Sequence, residues 1–319
     1  NNSGSQATSV KENNPLGWDE VRRSSPELTS PSSWNLARWH REKSQQAANR
    51  KDWDLAITHM TPVVESLNDR QSFYDRGWLH TLDGNFNEAF VDCQVAIEQE
   101  TKFNYGWYFT ASLALLCENE SEYQKICELG LERLSNSTHK NPPSRDLTVA
   151  CILAPNAVVS YDRLLEFTSS VAARHQESKP VPFSLGLHGK VLYRAGDHES
   201  AKQYLEKAIV WDTRLAEKND EGELGKQDLE TILQTGTPRD ERRTLDWLFL
   251  ALCEAQLGNM ERARMICNHV QKYRASWEHD SSWTFQDSWA DYVLEEARLL
   301  LDVEEEKPEE NTEVKTTDK

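Results

Sequence analysis

The sequence predicts an all-α protein, a right-handed superhelical solenoid of about five or six helical hairpins. Three observations carry this. Apolar residues recur at helical spacing through most of the chain, tight Gly-centred turns interrupt them, and one pattern of small and large residues returns at a period of about 34 residues. The stretch PFSLGLHGKVLYRAGDHESAKQYLEKAIVW, from Pro182 to Trp211, states the pattern most fully. Leu185, Gly189 and Leu192 form one stripe, Arg194-Ala195-Gly196-Asp197 breaks it, and Ala201, Leu205 and Ala208 form a second. Gly189 and Ala201 are small enough to let two helix axes approach closely, with larger residues filling the sides of the contact. Such a hairpin cannot bury its own apolar faces, so it calls for neighbours of the same kind.

Residues 1–33 are rich in Ser, Asn, Pro and Gly, with Trp18 and Leu28 the main apolar features. They read as a disordered linker or arm, and Trp18 is read as docking on its own domain rather than on a partner. Ser33 is expected to cap a helix starting at Trp34. Its hairpin mate carries Trp53, Ala56 and Met60. In the next pair Phe73, Gly77, the Gly84 turn, Phe86, Ala89, Cys93 and Ala96 repeat the spacing of the Pro182–Trp211 hairpin. Trp247, Ala251, Gly258, Met260, Ala263, Cys267 and Val270 make a third good copy.

Between these copies the alternation persists and the signature weakens. Asn104 to Cys117 pairs with Glu122 to Leu134, with Ala114 at the small-residue position; Arg145 to Leu153 pairs with Tyr161 to His175, broken by Ala154-Pro155. The connection from Asp212 to Arg243 is long and charged, with a helix expected around Leu229 to Leu233, and reads as an insertion or functional flap. A final helix from about Phe285 to Leu301 carries Trp289, Val293, Ala297 and Leu300 on one face and is expected to cap the stack. The solenoid is thus placed at 34–302, followed by an acidic, disordered tail at 303–319.

The formal charge of −17 excludes a nucleic-acid partner and favours a protein with a neutral or basic surface. There is no apolar run long enough for a membrane span and no signal-peptide pattern. The chain begins at Asn1 rather than Met, as expected of a piece or a processed form. Cys93, Cys117, Cys127, Cys151, Cys253 and Cys267 form no C-x-x-C pair and stand at no metal-ligand spacing to a His. They read as buried free thiols in a reducing, cytoplasmic compartment. The Asn-x-Ser/Thr tripeptides at Asn119 and Asn136 are short enough to arise by chance and carry no weight.

An aromatic or Leu, a Gly or Ala four later, a Gly-x-aromatic turn and then Ala is the tetratricopeptide signature. The chain resembles that superfamily over roughly 34–302, most strongly at 73–97, 185–209 and 247–270. A narrower likeness runs through WHREKSQQAANRKDWDLAI, GNFNEAFVDCQVAI, GWYFTASLALLCENESEYQKICELGLERL, VACILAPNAV, GKVLYRAGDHESAKQYLEKAI and DWLFLALCEAQLGNMERAR. That order resembles the tetratricopeptide segment of bacterial multidomain proteins, where it follows a serine/threonine kinase or a WD-repeat propeller. CILAPNAV is its most distinctive piece, since the general repeat does not require it. The resemblance implies that the chain is the C-terminal part of something larger or a stand-alone relative. No kinase features occur in this stretch: it has no H-R-D, no D-F-G and no V-A-I-K strand.

Catalytic and cofactor signals are weak. Gly186-Leu187-His188-Gly189-Lys190 lacks the full phosphate-loop spacing, and Gly189 is explained by helix contact. His198-Glu199 lacks the second His of a zincin pair, because Lys202 stands there. His80 and His188 read as packing residues, and no carboxylate pair can be named. No cofactor, metal site or enzyme activity is expected.

The candidate site is a concave groove lined by the first helix of each hairpin. Carried over from the resemblance, its outward positions are Arg38, Arg41, Gln45 and Asn49 in the first pair, Tyr74 and Trp78 in the second, and Lys190, Tyr193 and Arg194 in the signature pair. Trp, Tyr and Arg dominate binding energy at interfaces, and Arg or Lys can hold a peptide carboxylate. The chaperone-binding subfamily's carboxylate grip is not reproduced: Arg41 and Gln45 only approximate it, and Asp75 stands where Asn is expected. The function expected is a protein–protein interaction scaffold or regulatory arm. The alternatives are a toroidal carbohydrate-active enzyme with carboxylates in a Trp-lined pocket, or a purely structural spacer.

Overall fold

The computed structural model describes residues 31–99, 105–136, 145–178, 181–216, 228–235, 241–275 and 287–301. The regular structure among them is entirely α-helical, in two compact units, Asn1–Gln99 and Glu100–Lys319. The class is the all-α hairpin solenoid that the repeat pattern predicts. The acidic tail and residues 1–30 of the arm lie outside the described residues.

Unit 1 contains α1 (Pro31–Ala48), α2 (Trp53–Leu67), α3 (Arg70–Leu82) and α4 (Phe86–Glu98). α1 pairs with α2, α3 pairs with α4, and α2 also packs on α3, so each hairpin buries its faces against its neighbour. The core gathers Ala37, Ala47, Ala56, Met60, Val63, Leu67 and Leu79. Ser33 does not cap α1, because the helix begins two residues earlier at Pro31. Proline's fixed φ and missing N–H suit that first position.

Unit 2 contains α5 (Tyr105–Leu116), α6 (Glu120–Asn136), α7 (Arg145–Ala150), α8 (Asp162–Ser178), α9 (Pro182–Arg194), α10 (His198–Ala216), α11 (Leu229–Thr235), α12 (Glu241–Gln256), α13 (Met260–Ala275) and α14 (Asp287–Leu301). α5/α6, α9/α10 and α12/α13 are hairpins; α10 packs on α12, α8 on α9, α7 on α5, and α14 on both α12 and α13. α5 is buried all round, Trp107, Tyr108 and Phe109 included, which is the pattern of a helix enclosed on every side.

One turn geometry recurs in five hairpins. Gly84, Gly196 and Gly258 have φ of +80, +89 and +85°, and the next residue's N–H reaches back over the helix end: Asn85 to His80 O at 2.8 Å, Asp197 to Leu192 O at 3.0 Å, Asn259 to Glu254 O at 2.8 Å. This satisfies carbonyls that the ending helix would leave open. The same bonds occur at Asp52 to Ala47 O (3.1 Å) and Asn119 to Ala114 O (2.9 Å). There the left-handed residue is Lys51 (φ 59°) or Glu118 (φ 53°) instead of glycine. The signature fades in these two hairpins while the backbone path is kept.

Gly77 and Gly189, the glycines of the repeat signature, are contact residues. A Cβ at Gly189 would stand 2.8 Å from Leu205 Cγ and 3.1 Å from Ala201 O; one at Gly77 would stand 2.6 Å from Cys93 Sγ and 3.1 Å from Ala89 O. All six cysteines are free, five of them buried. Burial pushes the Cys253 thiol up to about 12 and the Cys267 thiol to about 11, as for small inert hydrophobes.

Candidate partner-binding surface

In unit 1 the predicted residues lie on α1, in the turn after it (Asn49) and on α3. Arg38 is exposed and pairs with Glu42 at 2.9 Å, one turn on. Gln45 and Asn49 are exposed and joined by a 3.0 Å hydrogen bond. Tyr74 and Trp78, also one turn apart, are half-buried on α3.

Arg41 has a different task. Its Nη1 donates to Asp75 Oδ2 at 2.6 Å, and its Nη2 donates to Ser72 Oγ at 3.0 Å, so it ties α1 to α3. Arg41 and Asp75 are 34 residues apart, equivalent positions of successive hairpins. Gln71 donates to the other Asp75 oxygen at 2.7 Å. Burial raises the Asp75 pKa despite the opposing pull of Arg41 and Gln71. The residue that replaces the expected Asn therefore holds the repeat stack together.

In unit 2 the predicted residues are sealed inside, contrary to the expectation that they face outward. Lys190 is 4% exposed and forms a buried ion pair with Asp246 of α12. Gly186 makes room for that contact, since a Cβ there would overlap the Asp246 carboxylate. Tyr193 is buried with its ring edge-on to Phe249 at 5.4 Å. Burial, reinforced by nearby Glu296, pushes its phenol up to about 12.

The Arg194 side chain is 3% exposed. Its Nη1 and Nη2 donate to the two carboxylate oxygens of Glu296 at 2.6 and 2.7 Å, and its Nε donates to Ile152 O at 3.0 Å. Its guanidinium also lies 5.0 Å from the Phe249 ring centroid. Burial works against the charge and is the largest single influence, but the hydrogen bonds to Glu296 and its negative charge together outweigh it and the pKa is raised. The CILAPNAV element is what Arg194 grips from one side. Tyr123 OH donates to Ala150 O (2.8 Å) and accepts from Ala154 N–H (3.1 Å), and Tyr161 OH donates to Cys151 O at 3.3 Å. Cys151, Ile152, Leu153, Ala157 and Val158 are buried beneath these bonds. The physical reason for the changed role is coverage: α12 takes Lys190 and Tyr193, and α14 and the 151–158 loop take Arg194, on the side of α9 that its own hairpin leaves open. Spacing within the hairpin gives no sign of either, so Glu296, Asp246, Tyr123 and Tyr161 were not legible as partners.

The enzyme alternative calls for paired carboxylates in a Trp-lined pocket. A depression of about 370 Å³ beside α10 and α11 is lined by Gln203, Glu206, Lys207, Val210, Trp211 and Leu229. It offers one carboxylate, Glu206. Among the described residues no group of three or more His, Cys, Asp or Glu is placed to hold a metal ion. No helix among them is long and apolar enough to cross a membrane.

This geometry, two helices returning through a Gly-centred turn with small residues at the crossing, has a counterpart among known families. Residues 184–213 match the family model of the tetratricopeptide repeat. The match spans most of α9 and of α10, the hairpin with the fullest signature. Among solved structures, the chain is similar to a tetratricopeptide repeat protein from Parabacteroides merdae (10% identity, 86% of this chain and 90% of that one, TM-score 0.41). It is also similar to a chain of Naa15/Naa10 bound to HypK-THB (15% identity, 82% of this chain and 39% of that one, TM-score 0.33). A third is the TPR2AB domain in its pHSP90 complex from yeast Sti1 (12% identity, 81% and 98%, TM-score 0.26). No curated protein matches the chain in sequence.

Proposed function

We propose that this protein is an interaction scaffold or regulatory arm that binds a protein or peptide on the α1–α3 face of unit 1. The observation that carries this is a contrast between the two units. Arg38, Gln45 and Asn49 keep their polar groups toward solvent with Tyr74 and Trp78 half-buried on α3, whereas Lys190, Tyr193 and Arg194 are consumed by internal contacts. Gln45 and Asn49 supply donors and acceptors for a peptide backbone, Arg38 supplies a cation for a carboxylate, and the two aromatic side chains supply apolar area. The overall charge of −17 favours a partner whose remaining surface is neutral or basic.

The likeness to segments that follow kinase or propeller domains supports the regulatory-arm form of this reading. The buried free thiols support a reducing compartment such as the cytoplasm. The test is a pull-down with the full chain as bait, comparing wild type with Arg38→Glu/Trp78→Ala. Recovery of partner falls while the far-ultraviolet dichroism is unchanged. Equal recovery from both baits overturns the assignment.

A further inference from the structure

The α1/α2 hairpin carries a second surface, separate from the α1–α3 face. Leu36, Trp39 and Leu55 are 54, 47 and 42% exposed, large apolar side chains that a soluble hairpin would normally cover. Leu36 lies one turn before His40 on α1, and Leu55 lies one turn before His59 on α2, so each shares a helix face with a histidine. The histidines join the two helices, His40 Nδ1 to His59 Nδ1 at 3.2 Å. Trp39 packs edge-on against both rings, at 4.9 and 5.6 Å.

α3 does not cover this face. Arg41, which binds Asp75 and Ser72 of α3, sits about 160° around the helix from Trp39 at 3.6 residues per turn. The stripe is thus on the side of the hairpin turned away from the next repeat. An outward face of a helical hairpin needs a polar surface or a cover, and this one exposes Leu36, Trp39 and Leu55.

We propose that the chain's own segment preceding α1, residues 1–30, is that cover, with Trp18 seated against Leu36, Trp39 and Leu55. The connection is short in sequence: residue 30 precedes the first residue of α1, Pro31, and Leu36 and Trp39 lie about 8 and 12 Å along that helix. Trp18 is 13 residues before Pro31, a span of up to about 43 Å when extended, which reaches every part of the stripe. The composition fits, because Leu16, Trp18, Val21 and Leu28 are large apolar residues set among Ser, Asn, Pro and charged residues. So does local charge. Asp19 and Glu20 follow Trp18, and Lys43 stands over the Trp39 ring at 5.9 Å on the rim of the stripe.

Hydroxyl-radical footprinting of the full chain, read by mass spectrometry, tests this, since side-chain oxidation reports access to Trp39 directly. Trp39, Leu36 and Leu55 react slowly in the wild type, and their rates rise several-fold in Trp18→Ala/Val21→Ala, whose substitutions lie outside every helix described. Reciprocally, Trp18 reacts faster in Trp39→Ala. Fast and equal Trp39 oxidation in wild type and arm variant overturns the proposal by showing an open face. Protection that survives the arm substitutions, or that disappears on dilution, overturns it in favour of another cover or a second copy of the chain.

Discussion

Arg194 and Glu296 are 102 residues apart in sequence and meet through two parallel hydrogen bonds of 2.6 and 2.7 Å. The pair anchors α14 to α9, and through the Ile152 carbonyl it also anchors the 151–158 loop. Removing one partner strands the other charge in a dry site. Glu296→Gln is expected to cost about 3–5 kcal/mol, read as a lower urea midpoint. Arg194→Met/Glu296→Met removes both charges and is expected to cost less, about 1–3 kcal/mol for the Ile152 carbonyl left without its donor. A double variant weaker than the single one contradicts this.

The crossing of α9 and α10 depends on the missing side chain at Gly189. Alanine favours a helix interior by about 1 kcal/mol over glycine. Here its Cβ would press on Leu205 and the Ala201 carbonyl. Gly189→Ala is therefore expected to destabilise by about 1–3 kcal/mol in thermal unfolding, the overpacking term outweighing propensity. A stabilised variant would show that the hairpin can widen without loss.

Lys51 and Glu118 hold a left-handed backbone that glycine adopts without steric cost. The strain is about 1–2 kcal/mol, partly offset by the extra unfolded-state freedom of glycine. Lys51→Gly and Glu118→Gly are each expected to raise stability by about 0.5–1 kcal/mol, measured by denaturant unfolding. The opposite sign would mean that contacts of the Lys51 or Glu118 side chain exceed the strain.

His188 links pH to stability. It is buried, hydrogen-bonded to Thr168 Oγ1 at 2.8 Å and edge-on to Tyr204, and burial lowers its pKa from the ordinary 6.5. The unfolded chain then takes up a proton that the folded state resists. The contribution of His188 is fully present above 6.5 and is lost as pH falls through the folded value. Urea midpoints at successive pH values below neutrality should fall more steeply for wild type than for His188→Gln. His80 in unit 1, also lowered by burial, adds a loss of the same sign.

The hairpins and their crossings were legible in the sequence because they are local. Gly77, Gly189 and the three turn glycines sit at positions that only a close approach or a positive φ explains, and the structure uses them so. The fading of the signature at Lys51 and Glu118 hid turns of the same form, since a backbone conformation can be kept at some cost by a residue that does not advertise it. The roles of Lys190, Tyr193 and Arg194 were not legible for a different reason. Spacing shows which side of α9 looks away from its own hairpin, but not that Asp246, 56 residues on, and Glu296, 102 residues on, return to cover it. The Arg41–Asp75 contact was hidden in the same way, the two residues standing one repeat apart.

Whether unit 1 carries the binding face is decided most directly by affinity. A fluorescent peptide selected by display on the full chain is titrated by anisotropy into wild type and into Tyr74→Ala/Trp78→Ala protein of equal helicity. Binding weaker by about tenfold or more is the expected result, as for loss of aromatic anchors. Unchanged affinity would contradict the placement of the partner on the α1–α3 face.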